Sequence, residues 1–260
     1  GKVTYELANN GATNWTQQGG NDIKNSWDLN GKFTVNDQVA IDGDVYAALG
    51  NAVGDAEVWK WDGSNWSQVG GDGKNGSWAD STFENVQSLA KNGNTLYAGL
   101  GSSAGDAEVW SCDSSTGCTT WTKIGGDSIN SGWTTNYEQV DAMVVYEDNL
   151  IATLGNTAGD AEVWSWNGTT WTKIGGDDIG GSWTDGTYER ARSLSVYNGK
   201  LHVGLGNSAG DGEVWIYSEG LWTKVAGNSL NGSWGNAVEE VGALSTYKGK
   251  LYAGTGNTAN

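Results

Sequence analysis

The chain has 260 residues, including 42 glycines, 16 tryptophans and no proline, and its formal net charge is −17. The acidic excess, without any basic run, excludes a protein that binds nucleic acid through its phosphates. No apolar stretch is long enough to predict membrane insertion, and the aromatic content argues against an acidic disordered chain. We therefore expect a soluble, turn-rich domain with an aromatic core.

An internal repeat runs through the chain. The motif Gly-Asp-Ala-Glu-Val-Trp stands at residues 54–59, 105–110 and 159–164, and Gly-Asp-Gly-Glu-Val-Trp stands at residues 210–215. Five pairs of tryptophans, 12 positions apart within each pair, mark the same repeat: Trp15/Trp27, Trp66/Trp78, Trp121/Trp133, Trp171/Trp183 and Trp222/Trp234. Five copies of about 52 residues account for all 260, so we predict a single repeat domain over residues 1–260.

The first predicted element in chain order, residues 1–18, is the second half of a copy that begins at the other end of the chain. Leu150 and Leu201 each precede the tryptophan of the motif by 14 positions. Counting 14 positions on from Leu251, through the C-terminus and back to residue 1, leads to Tyr5. We predict that residues 240–260 and 1–18 form one split copy, because a copy built from both chain ends closes a ring.

Each of the four complete copies that follow predicts four short strands, named A to D. In the last of them the strands are expected at residues 190–197, 201–206, 213–217 and 221–225, with Asn198-Gly199 as the A–B turn. Alternating patterning, aromatic and β-branched residues and Asn-Gly turns are typical of hairpins. Four antiparallel strands in each repeat predict an all-β, five-bladed β-propeller. A sandwich or a parallel β-helix would leave the split copy unexplained.

The repeat, with Tyr-Asn-Gly-Lys-Leu at residues 197–201 and Gly-Asp-Ala-Glu-Val-Trp at residues 159–164, resembles the kelch-like class of propeller repeats. The count of five tryptophan-rich blades is similar to the tachylectin-2-like lectins. This resemblance concerns architecture: it implies the fold and a binding protein, and it implies no site residues.

The connections between strands would lie on two sides of such a disc, with short A–B and C–D turns on one side and long, polar B–C and D–A segments on the other. Loops held by a rigid scaffold commonly carry binding residues, and an Asn or Asp beside a tryptophan suits a sugar ring. The candidate ligand contacts are therefore the residues that recur in the long segments: Asn21, Asp72, Asp127, Asp177 and Asn228; Trp27, Trp78, Trp133, Trp183 and Trp234; and Asp55, Asp106, Asp160 and Asp211. The alternative is that these Asn and Asp residues serve turn geometry and that the tryptophans pack between blades.

Two sets of glutamates also recur. One set would stand at the mouth of the central channel, where it either holds a cation or accepts backbone N–H bonds from the next loop: Glu84, Glu138, Glu189 and Glu239. The other set lies in strand C and is expected to pair on the blade surface without forming a site: Glu57, Glu108, Glu162 and Glu213.

A glycosidase is the enzymatic alternative for this fold. Its chemistry needs two carboxylates in different roles. The acids here are mostly repeated from copy to copy. Only Asp37 and Asp141 break the pattern in strand A, at a position held elsewhere by Gln87, Arg192 and Gly242. Asp141 and Arg192 belong to neighbouring copies and are expected to form an ion pair. His202, the only histidine, stands where other copies have tyrosine or isoleucine, so we expect neither a catalytic triad nor a metal site.

Cys112 and Cys118 are the only cysteines, and both fall in one C–D hairpin that is longer than the others. We expect a disulfide across this hairpin. A disulfide would indicate an oxidising setting and a secreted or extracellular protein.

Together these observations predict a monomeric, non-enzymatic, lectin-like propeller that binds glycans or glycoconjugates multivalently and has no cofactor and no nucleic-acid partner. A structural or protein-interaction scaffold without a small-molecule ligand is the second hypothesis, and a glycosidase is the third. Calcium held by the Asp-bearing loops is a further alternative.

Overall fold

The computed structural model describes residues 5–7, 15–28, 34–79, 83–155, 157–184, 186 and 188–256. Within these ranges the regular elements are antiparallel strands and short 3₁₀ turns, and none is an α-helix. The strands are β1 (Tyr5–Leu7), β2 (Trp15–Gln17), β3 (Val35–Ile41), β4 (Asp44–Leu49), β5 (Glu57–Trp61), β6 (Trp66–Gly70), β7 (Val86–Asn92), β8 (Thr95–Leu100), β9 (Val109–Asp113), β10 (Trp121–Gly125), β11 (Gln139–Tyr146), β12 (Asn149–Gly155), β13 (Glu162–Trp166), β14 (Trp171–Gly175), β15 (Arg190–Tyr197), β16 (Lys200–Gly206), β17 (Val214–Ser218), β18 (Leu221–Ala226), β19 (Glu240–Tyr247) and β20 (Lys250–Gly256). The 3₁₀ turns are Ile23–Asn25, Lys74–Gly76, Ser114–Thr116, Ile129–Ser131, Ile179–Gly181 and Leu230–Gly232.

The first compact unit comprises residues 1–102 and 109–124. Its strands form two four-stranded sheets, β3-β4-β5-β6 and β7-β8-β9-β10, and the separate hairpin β1–β2. An isolated bridge between Gly50 and Asn85 links the two sheets. Consecutive strands are neighbours in each sheet, as the four-strand repeat predicts.

The second compact unit comprises residues 103–108 and 125–260. The meanders β11–β14 and β15–β18 and the hairpin β19–β20 belong to one ten-stranded sheet. Only single pairs join them, Gly155 with Arg190 and Gly206 with Glu240. Each meander is therefore a four-stranded copy. The end of its strand B touches the start of strand A in the next copy.

The copies share one register. We number them by their strands: β3–β6 is the first copy, β7–β10 the second, β11–β14 the third and β15–β18 the fourth. Each strand A, including β19, carries a bulge at the same place, which is residue 36, 87, 141, 192 or 242. The strands of the fourth copy begin and end within one residue of the predicted bounds, so the all-β, four-stranded repeat unit is confirmed.

The two terminal hairpins match the two halves of a copy. The β19–β20 hairpin has the register and the bulge of β15–β16. The β1–β2 hairpin pairs Leu7 with Trp15, as β17–β18 pairs Tyr217 with Trp222. The predicted joining of these halves depends in part on residues 1–4, 8–14 and 257–260, which lie outside the described residues.

Tryptophans supply the core between consecutive strands D. In each case the D–A tryptophan meets the strand-D tryptophan of the following copy edge to face, a favourable aromatic geometry. The ring centroids lie 5.1, 5.3, 5.0 and 5.3 Å apart in the pairs Trp27–Trp66, Trp78–Trp121, Trp133–Trp171 and Trp183–Trp222.

Candidate functional site

The B–C loops of the four complete copies share one backbone geometry. The aspartate that ends each loop donates its N–H to the carbonyl three residues earlier, at 2.9 Å in every copy: Asp55 to Ala52, Asp106 to Ser103, Asp160 to Thr157 and Asp211 to Ser208. The preceding glycine donates to a carbonyl of the next D–A segment, as Gly159 does to Tyr188 at 3.0 Å. Gly159 has a φ of 96°, where a side chain would be strained. The Gly-Asp motif therefore ties each B–C loop to the next D–A segment.

The side chains of these loop aspartates are half-buried among other acids. Burial raises the pKa of Asp211 to about 6, and the charges of Glu213 and Glu189 act in the same direction. Burial likewise raises the pKa of Asp160. These carboxyl groups are therefore easier to protonate than an exposed aspartate.

The Asn or Asp that opens each D–A segment is exposed and has a left-handed backbone, with φ between 50° and 55°: Asn21, Asp72, Asp127, Asp177 and Asn228. Asn and Asp tolerate this geometry better than other residues. Their side chains also reach back into their own copy. Asp72 accepts from Gln68 Nε2 at 3.0 Å, Asp177 pairs with Lys173, and Asn228 donates to Glu213 at 3.0 Å. These Asn and Asp residues therefore serve turn geometry, which was the alternative to ligand contact. Their side chains are nevertheless exposed at the surface.

A serine hydroxyl closes four of the D–A segments and was missed by the sequence reasoning. Ser26, Ser77, Ser182 and Ser233 each accept the N–H of the glycine six residues earlier, at 2.7, 2.9, 3.0 and 2.8 Å. The signal that could have revealed it is the fixed six-residue spacing from glycine to serine.

The D–A tryptophans lie inside the protein rather than on its surface. Trp27, Trp78, Trp133 and Trp183 are only 1–2% exposed. Trp78 and Trp183 donate Nε1–H at 2.7 Å to the carbonyls of Ala56 and Ala161, which precede strand C of their own copies. Trp234 is half-buried and makes the same bond. These four buried rings have no face for a ligand, so burial removes them from the candidate contacts.

A buried glutamate at the start of strand C organises each copy. Glu162, 2% exposed, accepts from Trp164 Nε1 at 2.7 Å and pairs with Lys173 at 2.7 Å. Glu213 has the same partners, Trp215 at 2.8 Å and Lys224 at 2.5 Å. The expected pairing is therefore present for Glu162 and Glu213, but it is buried rather than on the blade surface. The 11-residue spacing from Glu to Lys was the available signal.

The glutamates expected at the channel mouth stand beside the B–C loops. Asn207 Nδ2 donates to Glu189, and Thr157 Oγ1 donates to Glu138 at 3.5 Å. Both partners are loop side chains, whereas the alternatives expected from the sequence were a bound cation or backbone N–H groups of the next loop. For Glu239 the backbone N–H donates to the Gly256 carbonyl at 3.1 Å. Glu84 is half-buried at the equivalent place in the second copy.

The ion pairs of strand A differ from those expected. Asp141 accepts from Arg190, at 3.1 Å from Nε, while Arg192 pairs with Glu240 at 3.1 Å. The expected Asp141–Arg192 pair is wrong, because Asp141 and Arg192 are both bulge residues and each faces the strand start of the following copy. Asp37 is also out of register with Asp141, since the bulge places it one position later, opposite Ala48.

The remaining singular residues are structural. His202 is 4% exposed, and its Nδ1 lies 3.1 Å from the Lys200 carbonyl. Cys112 and Cys118 form the expected disulfide. Among the described residues, His, Cys, Asp and Glu side chains make no group of three or more placed to hold a metal ion. None of the described helical turns has the length and apolar character to cross a membrane.

No protein-family model matches the chain, and neither does any curated protein. A Trypanosoma rangeli sialidase in complex with 2,3-difluorosialic acid matches with a TM-score of 0.52 at 15% identity, over 74% of this chain and 37% of that chain. The T. rangeli sialidase with the inhibitor DANA gives 0.52 at 14% identity, over 84% of this chain and 43% of the other. The WD40 β-propeller domain of Doa1 gives 0.46 at 12% identity, over 81% and 60%.

At these identities the likeness shows the fold alone, an all-β, propeller-like arrangement. The chain spans about two fifths of the length of the sialidase chains that it matches.

Proposed function

We propose that this chain is a five-bladed propeller closed by its two ends, and that it binds carbohydrate without catalysis through near-equivalent sites on the side of the B–C and D–A segments. The observation that supports binding is the repetition of one exposed polar position along the chain. An exposed Asn or Asp at one left-handed backbone position follows strand D five times along the chain. A rigid scaffold that presents the same polar group repeatedly suits a hydroxyl-rich, multivalent ligand, because several weak sites then act together.

An unsatisfied tryptophan supports the closed ring. Trp27 Nε1 is buried without a hydrogen-bond partner among the described residues, whereas Trp78 and Trp183 donate to carbonyls of their own copies. Counted through the β1–β2 register, the position equivalent to Ala56 and Ala161 is residue 2. A buried indole N–H requires an acceptor, and a ring closed by the two chain ends would supply one beside Trp27.

The exposed aromatic face of β19–β20 supports the same closure. Tyr247 and Tyr252 are 60% and 50% exposed. Tyr146 and Ile151, at the same positions in the third copy, are 7% and 1% exposed. Strand β1 placed beside β20, as strand C lies beside strand B in the other copies, would supply the missing cover. We propose, in addition, that the repeats are of the kelch-like and tachylectin-2-like kind.

The pairing of the acids supports binding without catalysis. A glycosidase needs one carboxyl group as acid and a second as base or nucleophile. Glu162 and Glu213 are held by lysines, and Asp141, which has no acidic equivalent in the other copies, is held by Arg190. We expect no hydrolysis of oligosaccharides by the wild type or by Asp141→Asn. Turnover by the wild type that Asp141→Asn abolishes would establish the enzyme instead.

Binding to immobilised glycans, followed by calorimetric titration, tests the function. We expect a stoichiometry near five, and a loss of avidity for Asp177→Ala combined with Asn228→Ala. Thr172→Ala, an exposed change on strand D, is the matched control and should bind as the wild type does. Retention that is unaffected by the double variant would refute the assigned contacts.

A protein-interaction scaffold is the alternative, and the burial of the D–A tryptophans favours it. Folded protein that retains no glycan would support this alternative. The disulfide supports a secreted location for either function, and both hypotheses take the protein as a monomer.

A further inference from the structure

The copies are nearly repeated in sequence, but two positions at the start of strand A differ from copy to copy. One is the strand's first residue, and the other is the bulge residue. The only two arginines of the chain, Arg190 and Arg192, occupy these two positions in the fourth copy.

In the second unit, the bulge residue of one copy contacts the first strand-A residue of the next copy, and the two residues carry opposite charges. Asp141 of the third copy holds Arg190 of the fourth, with a side chain only 4% exposed. Arg192 of the fourth copy holds Glu240 at the start of β19. The polarity of the pair is reversed from one contact to the next.

The first unit shows the same contact with neutral groups. Asn36, the bulge residue of the first copy, donates to the Asn85 side chain at 3.4 Å and to the Val86 carbonyl at 3.0 Å. An amide therefore meets an amide, where an acid meets a base in the second unit.

We propose that these matched pairs fix the order in which the near-identical copies pack, against exchange of equivalent copies within or between chains. If the third copy packed on β19, Asp141 would face Glu240. If two fourth copies packed together, Arg192 would face Arg190. A buried or half-buried contact between like charges disfavours both wrong orders, and such exchange is a common failure of repeat proteins.

Stability alone does not account for the Asp141–Arg190 pair. Burial raises the pKa of Asp141 to about 6 although the charge of Arg190 lowers it. Desolvation therefore outweighs the attraction, and a buried ion pair of this kind adds little stability over a neutral pair of similar size. This inference does not depend on the ligand.

The test is Asp141→Asn combined with Arg190→Gln, refolded from denaturant at high protein concentration and analysed by size-exclusion chromatography with light scattering. We expect a melting temperature close to that of the wild type. We also expect the exchanged dimer fraction to rise at least about tenfold, because a tenfold rise needs a free-energy difference of only about 1.4 kcal/mol between correct and exchanged packing. Asp141→Arg with Arg190→Asp restores opposite charges at this contact, but both contacts then join a basic bulge residue to an acidic strand start. The wrong orders are then no longer disfavoured, so the dimer fraction should stay above the wild-type level, and a return to that level would contradict the proposal.

The control is Asp44→Asn with Lys60→Gln, which neutralises an ion pair of 2.6 Å inside the first copy and should leave the monomer fraction unchanged. The proposal is overturned if the neutral Asp141/Arg190 variant refolds to the wild-type monomer fraction, or if the control raises the dimer fraction equally. A neutral variant that fails to fold would show that the pair supplies stability, and would overturn it too.

Discussion

Replacing Glu57 by glutamine should stabilise the protein at neutral and alkaline pH but not at acidic pH. The Glu57 side chain is 8% exposed and accepts from Trp59 Nε1 at 2.6 Å. Glu162 and Glu213, its counterparts, each pair with a lysine. The first copy has Gln68 at that lysine position, opposite the tryptophan of strand C, so the carboxylate of Glu57 lacks the charge that neutralises its counterparts.

The size of the effect follows from the pKa of Glu57. Burial raises this pKa from 4.5 to about 7, and the charges of Asp72 and Asp55 act in the same direction. Because the folded state then binds the proton more tightly than the unfolded chain, the group favours folding most below pH 4.5, and this contribution is lost as the pH rises to about 7. The difference between the two pKa values, at about 1.4 kcal/mol for each pH unit, corresponds to about 3 kcal/mol.

Glutamine keeps the shape of Glu57 and its acceptor for Trp59 without the charge. At pH 8 we expect Glu57→Gln to raise the free energy of unfolding by about 3 kcal/mol and the melting temperature by about 6–12 °C. At pH 4.5 the variant and the wild type should melt together. Melting curves followed by circular dichroism from pH 4.5 to 8.5 measure the difference.

Glu213→Gln is the matched control, because it leaves Lys224 without its carboxylate and should destabilise the protein at pH 8. The reasoning is refuted if Glu57→Gln gains nothing at pH 8, or if its gain is the same at pH 4.5.

Three further changes test the packing. Replacing Cys112 and Cys118 by serine should lower the melting temperature by about 4–8 °C, because closing this short loop contributes about 2 kcal/mol; an unchanged melting temperature would show that the disulfide leaves stability unaffected. Trp183→Ala should cost about 3–5 kcal/mol in chemical denaturation, as expected for a buried tryptophan, and a cost below 1 kcal/mol would contradict its burial. Gly71→Ala should destabilise far more than Gly63→Ala, since both have φ near 94° but only the first places a β-carbon 2.6 Å from a carbonyl oxygen; equal costs would mean that backbone conformation alone decides.

The strand pattern and the disulfide could be predicted from the sequence because they depend on local signals. In the fourth copy, alternating residues and the Asn198-Gly199 turn placed every strand to within one residue. The two cysteines in one enlarged hairpin likewise sufficed to predict their bond.

The partners of individual side chains could not be predicted, because they depend on backbone detail and on packing between copies. The bulge in strand A turns Asp141 toward Arg190 rather than Arg192. A tryptophan that recurs in every copy is compatible with a ligand platform or with a core position, and only the burial of Trp183 distinguishes them. The Glu162–Lys173 pair spans two strands, so its spacing has meaning only once the strand register is known.

A disulfide between cysteines introduced at Glu6 and Tyr252 would show whether the two chain ends close the ring. The register of β16–β17, where His202 faces Ile216, places Glu6 opposite Tyr252 when β1 lies beside β20. Residues directly opposite in adjacent strands are close enough for a disulfide, whereas residues two positions along are not.

We predict that Glu6→Cys with Tyr252→Cys forms an intramolecular disulfide, detected by peptide mass mapping beside the native Cys112–Cys118 bond, and that Glu6→Cys with Lys250→Cys does not. Absence of the first cross-link, its formation only between chains, or equal cross-linking of both pairs would contradict a ring closed by β1 and β20.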